Sequence, residues 1–144
     1  IRNIQKGEIG ELKYTEENAL PRSATEYFRQ SCWMGASFPG PADVAAIEVI
    51  GIDRFMWGSD YPHDEGTPPF TTEHLRAVFH TFPEDQPRRI LAGNAAELYD
   101  FDLDALAPLA AEYGPTVEEI ATPLDALPEH PNAALLKSVG KPAA

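Results

Sequence analysis

The chain has 144 residues, with eleven lysines and arginines against twenty-three aspartates and glutamates, for a net charge of −12. One domain with a modest core is the expectation from that length. The acidic excess excludes a nucleic-acid partner, whose phosphates need a positive surface, and excludes anionic membranes equally; it fits a self-repelling surface in solution.

The acidity is steepest late, with nine acids and two lysines from Glu97 onward. Cys32 is the only cysteine, so no internal disulfide forms, and its apolar setting, Ser31-Cys32-Trp33-Met34, is read as a buried, inert thiol. No stretch has membrane length and no signal peptide is visible, which makes the cytoplasm the expected compartment. The first residue is Ile1 rather than Met, as expected of a processed or cut piece.

Residues 1–22 are charged and broken by Gly7, Gly10 and Pro21, and read as a loop or linker with a short helix near Thr15-Glu16-Glu17. The aromatic-rich stretch from Glu26 to Met34 reads as a strand, and Gly35 to Gly40 as a turn or loop. Pro41 is placed as a first helical residue, Val44, Ile47 and Ile50 follow at helical spacing, and Gly51 is a stop. Arg54 to Ser59 reads as a second strand. Asp64 to Phe70 is a loop, after which Thr71 or Thr72 caps a helix with the stripe Leu75, Val78, Phe79 and Phe82, ended by Pro83. His74 and His80 are assigned to the face opposite that stripe, in solvent.

Pro87 is expected to open a further helix with Ile90, Leu91, Ala95 and Leu98 inward. Asn94 shares that face and is expected to bond backbone groups of a neighbouring loop. A helix is expected over Leu103 to Tyr113, closed by Gly114-Pro115, and Thr116 with Glu119 forms a capping box. Beyond Pro123, the prolines at 128, 131 and 142 read as an extended tail that orders only against a surface. The order strand, helix, strand implies parallel pairing. Two strands cannot hide both faces of a parallel sheet, so partners for its edges are expected.

The chemistry concentrates at Gly58-Ser59-Asp60-Tyr61-Pro62-His63. These residues follow the apolar run Phe55-Met56-Trp57, at a strand's carboxyl end, where α/β enzymes place their sites. Asp60, leaving a buried strand, has to be paired or metal-bound. His63 is balanced between a pocket contact and solvent, and Asp64 and Glu65 read as solvated loop acids. Oxygen and imidazole donors together suit zinc or manganese better than calcium. Trp33 and Trp57 read as core or pocket wall, with Tyr61 beside them at the same strand end. The histidines stand at 63, 74, 80 and 130, too far apart for a local ligand pair, so one convincing ligand is offered where a catalytic zinc takes about three.

Phe55-Met56-Trp57-Gly58-Ser59-Asp60-Tyr61-Pro62-His63, with Glu65-Gly66 after it, resembles the final barrel strand of the amidohydrolase-related proteins, which include aminocarboxymuconate-semialdehyde and resorcylate-type decarboxylases. Arg89-Ile90-Leu91-Ala92-Gly93-Asn94-Ala95-Ala96-Glu97-Leu98-Tyr99 resembles their closing helix, and Ala24-Thr25-Glu26-Tyr27-Phe28 the lead into the penultimate strand.

The resemblance implies an α/β fold. It would be the C-terminal part of a (β/α)8 TIM barrel, its last two strands with their helices, over residues 23–102. Residues 1–22 would precede it as a linker, and residues 103–144 would follow as a helical, Pro-rich tail. It also implies a divalent metal, zinc first, with Asp60 as metal ligand and proton acceptor, and His63 near the pocket; Tyr61 and Trp57 are pocket candidates from their place at the strand end alone. The activity implied is hydrolysis or decarboxylation of a small carboxylated or aromatic substrate. The His-x-His of the family's first strand and the histidines of its middle strands are absent, and a barrel of this kind takes ~250 residues. Such a chain is a fragment of a full enzyme, one of two pieces that reassemble, or a truncated product. It is expected to lack activity and to need either the missing N-terminal barrel portion or self-association. A non-catalytic remnant that oligomerises, and an acidic binding module, are the alternatives.

Overall fold

The computed structural model describes residues 20–141, with Pro41 and Ala42 as backbone only. The expected helix near Thr15 lies outside the described residues. The chain divides into two compact units, Ile1–Trp33 and Met34–Ala144.

In the first unit, helix α1 spans Ala24–Ser31. This corrects the strand expected from Glu26 to Met34. Its cause is local: the Glu26 amide donates to Ser23 Oγ at 3.2 Å, and the Ser23 amide donates to Glu26 Oε2 at 2.7 Å. That reciprocal cap satisfies two donors a strand would leave free and outweighs the strand preference of Tyr27 and Phe28. The Arg22 guanidinium lies 5.8 Å from the Tyr27 ring and bonds Gln30. Cys32, expected to be buried, is exposed just past the helix end.

The second unit opens with strand β1, Met34–Ser37, which takes in Gly35 to Ser37 where a turn or loop is expected. Helix α2, Pro41–Ile50, follows, and a 3-10 turn at Ile52–Arg54 leads into strand β2, Phe55–Gly58. Asp43 reaches back to the Gly40 amide at 2.8 Å at the start of α2, and Gly51 ends it at φ 103°, where a side chain would be strained. The strands pair in parallel, Met34 with Phe55, Gly35 with Met56, Ala36 with Trp57 and Ser37 with Gly58.

Side chains alternate along each strand, so Ala36, Phe55 and Trp57 share one face. They pack there on a core of Ile47, Leu75, Val78, Phe79, Ile90 and Ile120. The other face carries Gly35, Ser37, Met56 and Gly58; Gly35 and Ser37 are exposed, and a Cβ placed on either glycine would meet nothing within 4 Å. Among the described residues of this unit, the helices pack on one face of the sheet, and the other is open at Gly35 and Gly58.

Helix α3 spans Thr71–Phe79 and buries Leu75, Val78 and Phe79 as expected. Phe82 lies beyond its end and packs edge-on against Phe79, with ring centroids 5.3 Å apart. Thr71 is the first helical residue rather than a cap: Phe70 holds the cap position, and the Thr71 hydroxyl instead meets that of Thr67 at 3.0 Å. The expectation of a solvent-facing His74 is overturned, because the residue is fully buried. It precedes Val78 by four positions, about 40° around the helix, on the stripe's flank rather than its far side. His80 is half-buried, with Nδ1 2.8 Å from the Arg76 carbonyl oxygen.

Helix α4, Asp85–Arg88, runs through a π turn at Arg89–Gly93 into α5, Asn94–Tyr99, so Pro87 is the third helical residue rather than the first. The extra residue in the π turn delivers Asn94 inward, and its side-chain amide donates to the carbonyls of Ile52 and Phe55, each at 2.6 Å. Arg89 bridges Asp53 at 3.0 Å and also Glu97.

Helix α6, Leu103–Tyr113, is capped by Asp102, whose side chain accepts from the Ala105 amide, and α7, Val117–Ala121, has the capping box expected of Thr116 with Glu119. Every residue of α6 is exposed, including Leu103, Leu106, Leu109 and Tyr113. The tail is not extended throughout: α8 spans Ala133–Ser138 and buries Ala134, Leu135 and Ser138. Asn132 caps it, its Oδ1 accepting from the Leu135 amide at 2.9 Å, and Ala134 and Leu135 supply the apolar face that docks it. Among the described residues, no helix is long and apolar enough to cross a membrane.

Candidate functional site

The candidate site begins where β2 stops. Asp60 has φ 61°, the left-handed region, which aspartate tolerates better than most side chains. That turn directs the chain away from the sheet, and the His63 amide closes it onto the Asp60 carbonyl at 2.8 Å. The loop then folds back on itself. The Thr67 amide donates to the Ser59 carbonyl at 2.9 Å, and Thr67 is fully buried.

Gly66 is packed where no Cβ fits: one would stand 2.8 Å from the Ser59 carbonyl oxygen and 3.0 Å from those of both Asp60 and His63. All three are backbone atoms of the same loop, so nothing can swing aside. Gly66→Ala is expected to cost about 1–3 kcal/mol by overpacking. The check is a urea melt, and an unchanged midpoint would show that the loop yields freely.

Asp60 Oδ2 lies 3.6 Å from His63 Nδ1, with the side chains 33% and 74% exposed respectively. The carboxylate is thus partly sheltered while the imidazole stands mostly in water. Tyr61, Asp64 and Glu65 are exposed. Trp57 lies elsewhere, on the helix-facing side of β2, its ring 6.1 Å from that of His74. Of the four expected site residues, the structure brings Asp60 and His63 together, turns Tyr61 outward and places Trp57 in the sheet–helix layer.

In the sheet–helix layer, the Trp57 Nε1 and both His74 ring nitrogens are buried without a hydrogen-bond partner of good geometry. Burial pushes the His74 imidazole down to about 4; the nearby Phe38 backbone opposes that shift and the Lys137 charge adds to it. His74 is neutral at physiological pH on that account.

Two ionisable groups at one strand end do not make a metal site. Among the described residues, no three His, Cys, Asp or Glu side chains gather closely enough to hold an ion, whereas a catalytic zinc takes about three protein ligands. The donor set the described residues offer is incomplete.

Sequence reasoning missed the residues that hold the loop. Thr67 and Asn132 bear no chemical signature, although Asn132 ahead of Ala133-Ala134-Leu135-Leu136 has the pattern of a helix cap. The Asn132 amide donates to three successive carbonyls, of Gly66 at 3.0 Å, Thr67 at 3.2 Å and Pro68 at 3.1 Å.

No curated protein and no solved structure matches the chain. A family model described as Amidohydrolase matches residues 14–101. That span is more than half the chain and includes both strands, the Asp60 loop and the Asn94 helix, and the protein belongs to the amidohydrolase family.

Proposed function

We propose that this chain is the C-terminal portion of a metal-dependent amidohydrolase-type enzyme, supplying the last two strands of a (β/α)8 barrel. The reaction is hydrolysis or decarboxylation of a small carboxylated or aromatic substrate, and activity requires the strands that bear the other metal ligands. The observation that carries this reading is the half-covered sheet. Parallel sheets are normally buried on both faces. Here, among the described residues of the second unit, helices pack on one face, while the other is open at its two glycines. A barrel uses its strands in that way, with helices outside and neighbouring strands closing the inside.

The amidohydrolase family is generally metal-dependent. Asp60, sheltered at the strand end, is the one donor this chain would contribute, with His63 beside it at the pocket edge. Mixed oxygen and imidazole donors favour zinc. The remaining ligands and the residues that read the substrate belong to the complementary strands.

Metal analysis and light scattering on the purified protein, with and without a polypeptide bearing those strands, test the reading. About one divalent metal per completed barrel is expected. Asp60→Ala should then abolish turnover and weaken the metal by more than the ~100-fold typical of residues that merely support a ligand. A folded multimer of this chain that takes up no metal at saturating zinc would instead identify a non-catalytic, self-associating remnant.

A further inference from the structure

Because β1 and β2 are parallel, the loops that follow them emerge at the same edge of the sheet. The tail reaches both. At one end of α8, Asn132 gathers the carbonyls of Gly66, Thr67 and Pro68 in the loop that carries Asp60. Five residues on, about 7–8 Å along the helix, Lys137 engages the loop after β1 and the first turn of α2. Its ammonium lies 5.2 Å from the Phe38 ring centroid in that loop and 3.4 Å from Asp43 Oδ2 in α2. The backbone makes the second contact closer still, since a Cβ on Gly40 would stand 2.9 Å from the Lys137 carbonyl oxygen. Between these two ties, Ala134 and Leu135 are fully buried, which fixes the helix in place.

We infer that residues 131–141 form a strap across the carboxyl ends of both strands, with Asn132 as the residue that positions the Asp60 loop. Three carbonyls converge on one amide group, and they lie in the stretch that folds back on the Asp60 turn, the Gly66 amide donating to the His63 carbonyl and the Thr67 amide to that of Ser59. The inference takes from the proposed function only that the Asp60 loop bears the site. The strap itself exists with or without metal.

Asn132 does two jobs, and they can be separated. Its Oδ1 caps α8 and its Nδ2 clamps the loop. Asn132→Asp keeps an oxygen for the cap, and aspartate is a favourable capping residue, but it has no donor for the carbonyls. The test is amide hydrogen exchange and backbone chemical shifts on the full chain. In Asn132→Asp, exchange at His63, Gly66 and Thr67 is expected to rise roughly tenfold, and the Asp60 and His63 resonances to move. Val139 in α8 and Gly51 at the end of α2 should keep their protection. Unchanged loop amides and shifts would overturn the inference, and so would a uniform loss of protection, which would mark the tail as core filling alone. If the aspartate unfolds the chain, Asn132→Ser gives the same readout, since its hydroxyl can cap but is too short for the cluster. Neither readout involves metal or turnover, so failure of the strap and failure of the enzyme reading are told apart.

Discussion

Acidifying the protein from about pH 6.5 to about pH 4 is expected to remove about 3 kcal/mol of stability through His74 alone. Burial, the largest cause, lowers the folded-state value from 6.5 to about 4, with the Lys137 charge acting the same way and the Phe38 backbone opposing. Between those two values the unfolded chain binds a proton that the folded chain refuses. The stabilisation is therefore complete above pH 6.5 and is lost as pH falls towards 4. The geometry agrees, since the ring is fully buried and neither nitrogen has a well-placed acceptor to welcome a second proton. His74→Leu removes the titration along with two unpartnered nitrogens, and is expected to be close to neutral at pH 7. Urea melts of both proteins at pH 7 and pH 4.5 provide the check. The native protein should lose about 2 kcal/mol more than the variant, and equal losses would acquit His74.

The second large effect is expected at Asn94. Its amide donates to the carbonyls of Ile52 and Phe55, where the 3-10 turn becomes β2. Asn94→Asp would set a carboxylate, 1% exposed at that position, against two carbonyl oxygens now 2.6 Å from the nitrogen it replaces. Loss of about 3–5 kcal/mol is expected at pH 7, the range for an uncompensated buried charge. The loss should shrink on acidification, because a protonated carboxyl can donate again to one carbonyl. Asn94→Leu keeps the volume but removes the donor; the Ile52 carbonyl keeps the Phe55 N–H, so a loss of about 1–3 kcal/mol is expected, without the pH dependence. Denaturant melts across pH separate the two, and an Asn94→Asp protein as stable as the parent would mean that the tie contributes nothing.

The sequence shows most where punctuation is strong. Pro41 and Gly51 bound α2, Gly114 and Pro115 close α6, Thr116 with Glu119 caps α7, and the apolar run at Phe55 marks β2. What it hides depends on partners distant in the chain. Gly35-Ala36-Ser37 has no β-branched residue and reads as a turn; it is strand because β2 offers it a parallel ladder. The aromatic run before it drew a strand reading, although Ser23-x-x-Glu26 carried the signature of a capping box. Asp60 was legible as a carboxylate leaving a buried strand. Its support was not, since Asn132 meets Gly66 across 66 positions of sequence, and no local pattern encodes that.

The sheet face that is open at Gly35 and Gly58 among the described residues also changes what stability means for this protein. Strands that cover Gly35 and Gly58 would bind the folded chain and not the unfolded one, so folding and assembly would become one equilibrium. Well above the dissociation constant, each tenfold rise in the free concentration of those strands would add about 1.4 kcal/mol to the folded state. The melting temperature would then be a property of the mixture rather than of the chain, and a destabilising substitution in the core would register as weaker assembly.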